Sequence, residues 1–230
     1  RAKADALRII RDDLAGKAKP GVVSAGSMSD PYNPFEEELL LTRHALALLE
    51  AYEFGVAIAT KSDRITRDVD ILTSINRTMP VICKITITTY DDGLAAKVEP
   101  CAPSPTRRFA AIRQLSAAGL FTGVLMMPVL PFLEDHAENI RAIVNRAADA
   151  GARFVYPALG MTCRSGQREY FYQQLEERFP GQGLARRYQN RYGTRYKCAS
   201  PKARALWEVF QTECTRRGIL YAMGPIVAAS

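Results

Sequence analysis

Apolar, β-branched runs recur along the chain, separated by longer amphipathic stretches. The runs are "GVVSAG" (21–26), "GVAIAT" (55–60), "VICKITIT" (81–88), "FTGVLMMPV" (121–129) and "ARFVYPAL" (152–159). Between them lie "EEELLLTRHALALLEAY", "RDVDILTSIN", "TRRFAAIRQLSAAG" and "HAENIRAIVNRAADAG". Each strand-plus-helix unit takes roughly 25 to 40 residues, which suits a βαβ step in a parallel sheet. Helix starts are marked by Asn33-Pro34, Ser104-Pro105 and Ser200-Pro201, each an N-cap residue followed by a proline suited to the first helical position. Glu36, three places after Asn33, predicts a capping box. Gly119 and Gly151 follow the last helical turns as C′ glycines do.

After residue 160 the alternation ends. A Tyr- and Arg-rich helix over about 166–178 is followed by a basic loop, "PGQGLARRYQNRYGTRYKC", a helix "SPKARALWEVFQTECTRRG" and a short tail. Five βα units are too few for a closed eight-stranded barrel. The chain opens with Arg1, inside the helical stretch "RAKADALRIIRDDL". An upstream strand feeding that helix makes a sixth unit, so the expected fold is α/β: a partial (β/α)6 TIM-type barrel with its first βα unit incomplete and a C-terminal helical extension. The expected division is 1–160 for the barrel, strands two to six, and 161–230 for the basic extension packed on it.

Composition changes this picture little. Of the 230 residues, 47% are hydrophobic and 24% charged, ordinary for a globular protein. The longest apolar runs are broken by proline and fall short of a membrane span, and no signal peptide is visible; the expected setting is cytoplasmic, with no membrane partner. Five cysteines, Cys83, Cys101, Cys163, Cys198 and Cys214, are an odd number without CxxC spacing, so they read as reduced thiols with no metal knuckle. The charge is informative. Residues 161–230 hold 12 Lys+Arg against 5 Asp+Glu and so carry the whole net +7, placing any anionic partner at the C-terminal third.

Parallel α/β folds deliver functional groups at the C-terminal ends of their strands. Those ends supply Ser27, Ser29 and Asp30; Thr60, Lys61 and Ser62; Thr86, Thr88, Thr89 and Tyr90 with Asp91 and Asp92; Met126, Met127 and Pro128; and Pro157 and Gly160. Small side chains after the first run let a ligand approach the backbone, and Asp30 can accept hydrogen bonds from an ammonium or sugar hydroxyls. Taken alone, "SDPYNP" reads equally as a turn and helix cap. Lys61 suits a carboxylate or phosphate, or is simply a solvated lysine at a strand end. Thr86 and Thr88 share one face and need partners, either backbone or ligand.

The segments "GSMSDPYNPFEEELLLTRHALALL", "FGVAIATKSDRITRDVDIL", "KITITT" with "VEP", "LMMPVLPFLEDHAENI", "GARFVYPALGMTCR" and "GQREYFY" together resemble the spore photoproduct lyase-like, or DNA repair photolyase-like, branch of the radical SAM superfamily. The resemblance implies a partial TIM barrel holding a [4Fe-4S] cluster and S-adenosylmethionine, whose reductive cleavage gives a 5′-deoxyadenosyl radical for hydrogen abstraction. It implies that Ser29, Asp30, Lys61, Thr86, Thr88 and Met127 contact S-adenosylmethionine: Ser29 and Asp30 beside the methionine and ribose, Lys61 near the carboxylate, Thr86 in the place of a serine that also contacts the cofactor, and Met126 and Met127 near adenine. The CxxxCxxC loop of that family is absent from the chain. The expectation is therefore that an N-terminal cluster-binding segment is missing and that this chain alone binds no cluster and is inactive. Ser27 also stands where spore photoproduct lyases carry a hydrogen-donating cysteine, so the substrate, the donor and the catalytic residues are open. Cys163 reads as a substitute donor or as a plain buried thiol.

In "LARRYQNRYGTRYK", Arg186, Arg187, Arg191, Arg195 and Lys197 alternate with Tyr188, Tyr192 and Tyr196. Cations for phosphates and rings for bases make a DNA- or RNA-binding groove; a tyrosine spacing of four also makes a packed helical stripe. Two other function classes stay open: a non-catalytic nucleic-acid-binding protein on a decayed barrel, and a barrel enzyme using Lys61 as base or Schiff-base nucleophile.

Overall fold

The computed structural model describes residues 5–230; the opening Arg1 lies outside them. Five parallel strands form one sheet in sequential order, β1 (Val22–Ala25), β2 (Gly55–Thr60), β3 (Val81–Thr86), β4 (Phe121–Met126) and β5 (Phe154–Pro157). This is the expected partial barrel. Before β1 comes α1 (Ala6–Ala15), and between the strands lie α2 (Glu36–Leu39), α3 (Leu41–Ala51), α4 (Val69–Ile75), α5 (Asp92–Val98), α6 (Pro105–Ala117) and α7 (Ala137–Asp149), of which α3, α4 and α6 pack on the sheet. A 3-10 turn over Asp63–Asp68 leads into α4.

The alternation within each strand decides which groups are available. Val56, Ile58, Cys83, Ile85, Val124, Met126 and Val155 are buried against the helices, each contributing ~1.5–3 kcal/mol if fully removed from water. The alternate positions, Ala57, Ala59, Lys84, Leu125 and Tyr156, are only partly covered and form the concave face. Successive side chains point to opposite sides of a sheet, so every functional group on that face has the parity of Lys84 and Thr86.

Several expected boundaries shift, each for a local reason. The single helix expected across "EEELLLTRHALALLEAY" breaks at Leu40, where φ is 48°. Glu36 does not reach back to Asn33 in a capping box. Its buried carboxylate instead accepts from the Thr42 and Arg43 backbone amides at 3.0 and 3.4 Å, the free donors at the start of α3, and from Arg67 at 2.9 Å. Ser104 caps α6, with Pro105 at the first position. Ser200 and Pro201 form a turn before the helix rather than its cap, with the Ser200 hydroxyl accepting from Lys202 N.

The C-terminal segment is not purely helical. β6 (Gly160–Thr162) leads into α8 (Gln167–Arg178). The stretch expected as a basic loop folds into α9 (Leu184–Tyr192), and β7 (Lys197–Ala199) then returns antiparallel to β6. The chain ends in α10 (Ala203–Arg217), which packs on α7, and α11 (Met223–Ala228). Between the last two helices, Leu220 bridges to Phe154 in parallel fashion on the free edge of β5, a rudiment of a further strand. Leu206, Phe210, Cys214 and Ile219 join the main core. A second apolar cluster gathers Cys163, Leu175, Phe179, Leu184, Tyr188, Tyr192 and Cys198 under α8, α9 and the β6–β7 pair.

Candidate functional site

The strand ends converge on a cavity of about 570 Å³ lined by Ser24, Gly26, Ser27, Met28, Ser29, Asp30, Ala59, Thr60, Lys61, Lys84, Thr86, Leu125 and Met127. Five of the six residues singled out from the sequence, Ser29, Asp30, Lys61, Thr86 and Met127, therefore share one opening. Its size suits a cofactor-sized ligand. On its outer side, Asp30 and Lys61 also line a second cavity of about 650 Å³ with Glu99, Cys101 and Arg107.

Backbone geometry fixes the rim. After β1 the chain turns through Gly26 at φ 92°, where a Cβ would lie 2.0 Å from the Ala59 carbonyl oxygen. Only glycine allows the post-β1 loop to lie that close to β2. Asp30 then clasps the two strand ends together. Its Oδ1 accepts from Tyr32 N at 2.9 Å and from the Thr60 hydroxyl at 2.6 Å, and its Oδ2 accepts from Lys61 N at 2.8 Å. Three of roughly four acceptor positions on the carboxylate are thus used within the protein, and Asp30 positions the rim more than it offers itself to a ligand.

Lys61 is also tied. Its ammonium pairs with Glu99, which in turn accepts from Arg108 Nη2 at 2.7 Å. Arg108 is 1% exposed and donates to the Thr86 and Pro103 carbonyls as well, at 2.9 and 2.8 Å. Burial acts to raise the Glu99 carboxyl, but the two cations outweigh it and hold the pKa below the ordinary range. The chain Lys61–Glu99–Arg108–Thr86 thus links the ends of β2 and β3. An ammonium has three donors, so Lys61 keeps capacity for a ligand anion.

Thr88 is the exception. It is buried away from the cavity, its hydroxyl donating to Glu134 Oε1 at 2.7 Å, because β3 ends at Thr86 and the backbone turns before Thr88. Its partner is protein, which corrects its placement among the ligand contacts. Glu134 is itself fully buried, with Leu130 N donating to Oε2 at 2.7 Å. Burial pushes its pKa up to about 7. Met126 is likewise buried on the convex side, whereas Met127 faces the cavity.

Sequence reading missed Glu99, Arg108, Glu134 and Lys84. Lys84 had a usable signal: a charge inside the apolar run "VICKITIT" with the parity of Thr86. Glu99 lies in the segment "VEP" but carried no assigned role, and Arg108 had no signal, since it is brought in by a helix whose docking is a tertiary event.

Two of the three tyrosines of the nucleic-acid expectation are unavailable as stacking rings, whereas Tyr196 is exposed. Tyr188 and Tyr192 are buried in the second cluster, their hydroxyls donating to the Pro131 and Ala199 carbonyls at 2.6 Å each. Neither ring can stack on a base. Arg186, Arg187, Arg191, Arg195 and Lys197 are exposed, with Arg187 lying over the Phe132 ring at 4.4 Å. Cys163 is buried in the same cluster, outside the cavity lining, and burial pushes its thiol up. Among the described residues no helix is long and apolar enough to cross a membrane.

Comparison with solved structures gives the same architecture. A spore photoproduct lyase variant superposes with a TM-score of 0.66 at 16% identity, over 94% of this chain and 65% of that one. Another, with bound AdoMet and dinucleoside spore photoproduct, gives 0.63 at 17% identity, over 94% and 65%. Streptococcus suis SuiB bound to precursor peptide SuiA gives 0.58 at 16% identity, over 96% and 42%. The chain thus has the fold of spore photoproduct lyase, as the resemblance in the sequence implies, and spans just under two thirds of the lyase chains. No protein-family model matches. Among curated proteins, uncharacterized proteins of Mycobacterium bovis and Mycobacterium tuberculosis are 29% identical over 191 residues, covering 83% of this chain and 55% of theirs. One from Methanocaldococcus jannaschii is 29% identical over 124 residues, covering 54% and 46%. The chain spans about half the length of these curated relatives.

Proposed function

We propose that this chain is the S-adenosylmethionine-binding core of a radical SAM enzyme of the spore photoproduct lyase-like branch. The observation that carries the reading is the convergence of Ser29, Lys61, Thr86 and Met127, from four strand ends, on one cavity of about 570 Å³ in a chain with that fold. The donor set suits the cofactor. Ser29 and Thr86 offer hydroxyls that make no hydrogen bond within the protein among the described residues, Lys61 offers a cation for a carboxylate, and Met127 and Leu125 offer an apolar wall for adenine.

When bound and reductively cleaved at a [4Fe-4S] cluster, S-adenosylmethionine supplies a 5′-deoxyadenosyl radical for hydrogen abstraction. The residues described here do not fit the cluster itself: no group of three or more Cys, His, Asp and Glu among them could hold a metal. What this chain does is hold and orient. Lys61 fixes an anionic end of the ligand while Glu99 fixes Lys61; Thr86 is held by Arg108 through its own carbonyl. Asp30 keeps the Ser27–Ser29 loop on β2. The dry side of the cavity is Leu125 and Met127.

Equilibrium dialysis of the full chain against labelled S-adenosylmethionine tests the proposal. Saturable binding, weakened roughly tenfold or more by Lys61→Met or Thr86→Val, is expected from the loss of one charge-assisted or neutral contact in a partly dry site. Absence of saturable binding, or binding that ignores both substitutions, overturns it.

A further inference from the structure

Two lysines line the cavity at different depths, and among the described residues only Lys61 has a side-chain partner in the protein. Lys61 stands at the rim and is held by Glu99. Lys84 lies two residues before Thr86 on β3, roughly 6–7 Å deeper along the strand, and lines the same cavity. It sits between Ala59 on β2 and Gly123 on β4, so neither flanking strand puts more than a methyl group beside its stem. Gly123 is demanded by the strand beyond, since a Cβ there would lie 2.4 Å from the Phe154 ring.

No carboxylate answers this cation among the described residues. Burial alone acts on its ammonium, lowering the pKa, with no neighbouring charge contributing. The carboxylates around the cavity are committed elsewhere: Asp30 to Tyr32, Thr60 and Lys61, Glu99 to Lys61 and Arg108, Glu134 to Thr88 and Leu130. A half-buried cation facing a cavity without a counter-charge is unfavourable unless a ligand supplies one. The surrounding hydroxyls, Ser24 and Thr86, donate readily to oxyanions.

We infer that Lys84 receives an oxyanion of the substrate, a carboxylate or phosphate group, inside the barrel and below the S-adenosylmethionine subsite. The word substrate rests on the function proposed above; the oxyanion site itself does not. Lys61 and Lys84 thereby divide the work, the first toward the cofactor and the second toward the molecule it attacks.

The test is NMR of the full chain with 13C-labelled lysines, the Lys84 Cε signal being identified by its loss in Lys84→Met. Inorganic phosphate and acetate are titrated separately. A saturable shift of the Lys84 signal by either anion is expected. Preference for phosphate marks a phosphoryl group and preference for acetate a carboxylate. Calorimetric binding of the preferred anion falls roughly tenfold or more in Lys84→Met and stays within a few fold in Lys84→Arg, which keeps the charge and controls for folding. Adding S-adenosylmethionine leaves the anion site open. Lack of saturation, or undiminished binding in Lys84→Met, overturns the inference. So does competitive displacement of the anion by S-adenosylmethionine, which gives Lys84 to the cofactor's own carboxylate. A chain that binds the anion through Lys84 yet never binds S-adenosylmethionine supports the oxyanion site and refutes the proposed function.

Discussion

Asp30→Asn removes one carboxylate oxygen while keeping the shape of the side chain, and so isolates the clasp that holds the rim together. The remaining amide oxygen can keep Tyr32 N and the Thr60 hydroxyl, now at 2.9 and 2.6 Å from Oδ1, but the new NH2 group then faces Lys61 N, which donates to Oδ2 at 2.8 Å. A donor meets a donor, and one backbone amide loses its acceptor. That penalty is about 1–3 kcal/mol, and the two retained bonds weaken because the acceptor is no longer charged. A total near 2 kcal/mol follows. Urea unfolding resolves it: with a slope of about 1–3 kcal/mol per molar, the midpoint drops by roughly 1 M. The same loss frees the Ser27–Ser29 loop from β2, so S-adenosylmethionine binding weakens together with stability. Ser29→Ala is the matched control, since Ser29 makes no bond within the protein among the described residues and its loss leaves the midpoint in place. A midpoint in Asp30→Asn within about 0.2 M of the parent, with ligand binding intact, refutes the clasp.

Glu99→Gln leaves the 1% exposed Arg108 guanidinium without its anion and costs about 3 kcal/mol, whereas Lys61→Met, at a more exposed partner, costs under about 1 kcal/mol; equal losses in paired urea curves count against the network. Gly26→Ala drives a Cβ to 2.0 Å from the Ala59 carbonyl oxygen at a φ of 92° and lowers the thermal midpoint by several degrees, about 2 kcal/mol; an unchanged melt rejects the close approach. Glu134 holds its proton up to about pH 7 when folded, because of burial, against an ordinary value of 4.5. The folded state therefore binds the proton more tightly than the unfolded chain, and its stabilising contribution is full below pH 4.5 and lost as pH rises through 7. Glu134→Gln, whose amide can donate to Thr88 and accept from Leu130 N, flattens that decline, and parallel pH–stability curves for the two proteins reject it.

The strand order and the helices around it were readable because each strand combines a β-branched, buried parity with an equally periodic helix after it. What failed were the places where a side chain serves a neighbour in space instead of in sequence. Glu36 looks like the third position of a capping box, yet its carboxylate caps the following helix six residues on, and that reassignment is what breaks the expected long helix at Leu40. The stretch around Tyr188 is rich in good helix formers, Leu184, Ala185, Arg186, Arg187 and Gln189, and the tyrosine spacing already allowed a packed stripe; what the sequence did not supply was the stripe's partners, Phe132 and Phe171, whose rings lie 5.2 and 5.1 Å from Tyr188.

At the site the same division holds with one instructive difference. Ser29, Lys61, Thr86 and Met127 were legible because the C-terminal ends of parallel strands must meet, whatever the side chains are. Thr88 failed by the same rule: parity along a strand carries information only as far as the strand runs, and β3 stops at Thr86. Lys84 obeys the rule completely, but it stands in the body of β3, two residues before the strand end. Beside Lys84 the Ala59 flank lines the cavity while the Gly123 flank is taken by the Phe154 ring, so the body of the strand meets the cavity on one side. A charge set there among β-branched residues is costly to desolvate, and the absence of a partner among the described residues makes it the concave-face group most dependent on what binds.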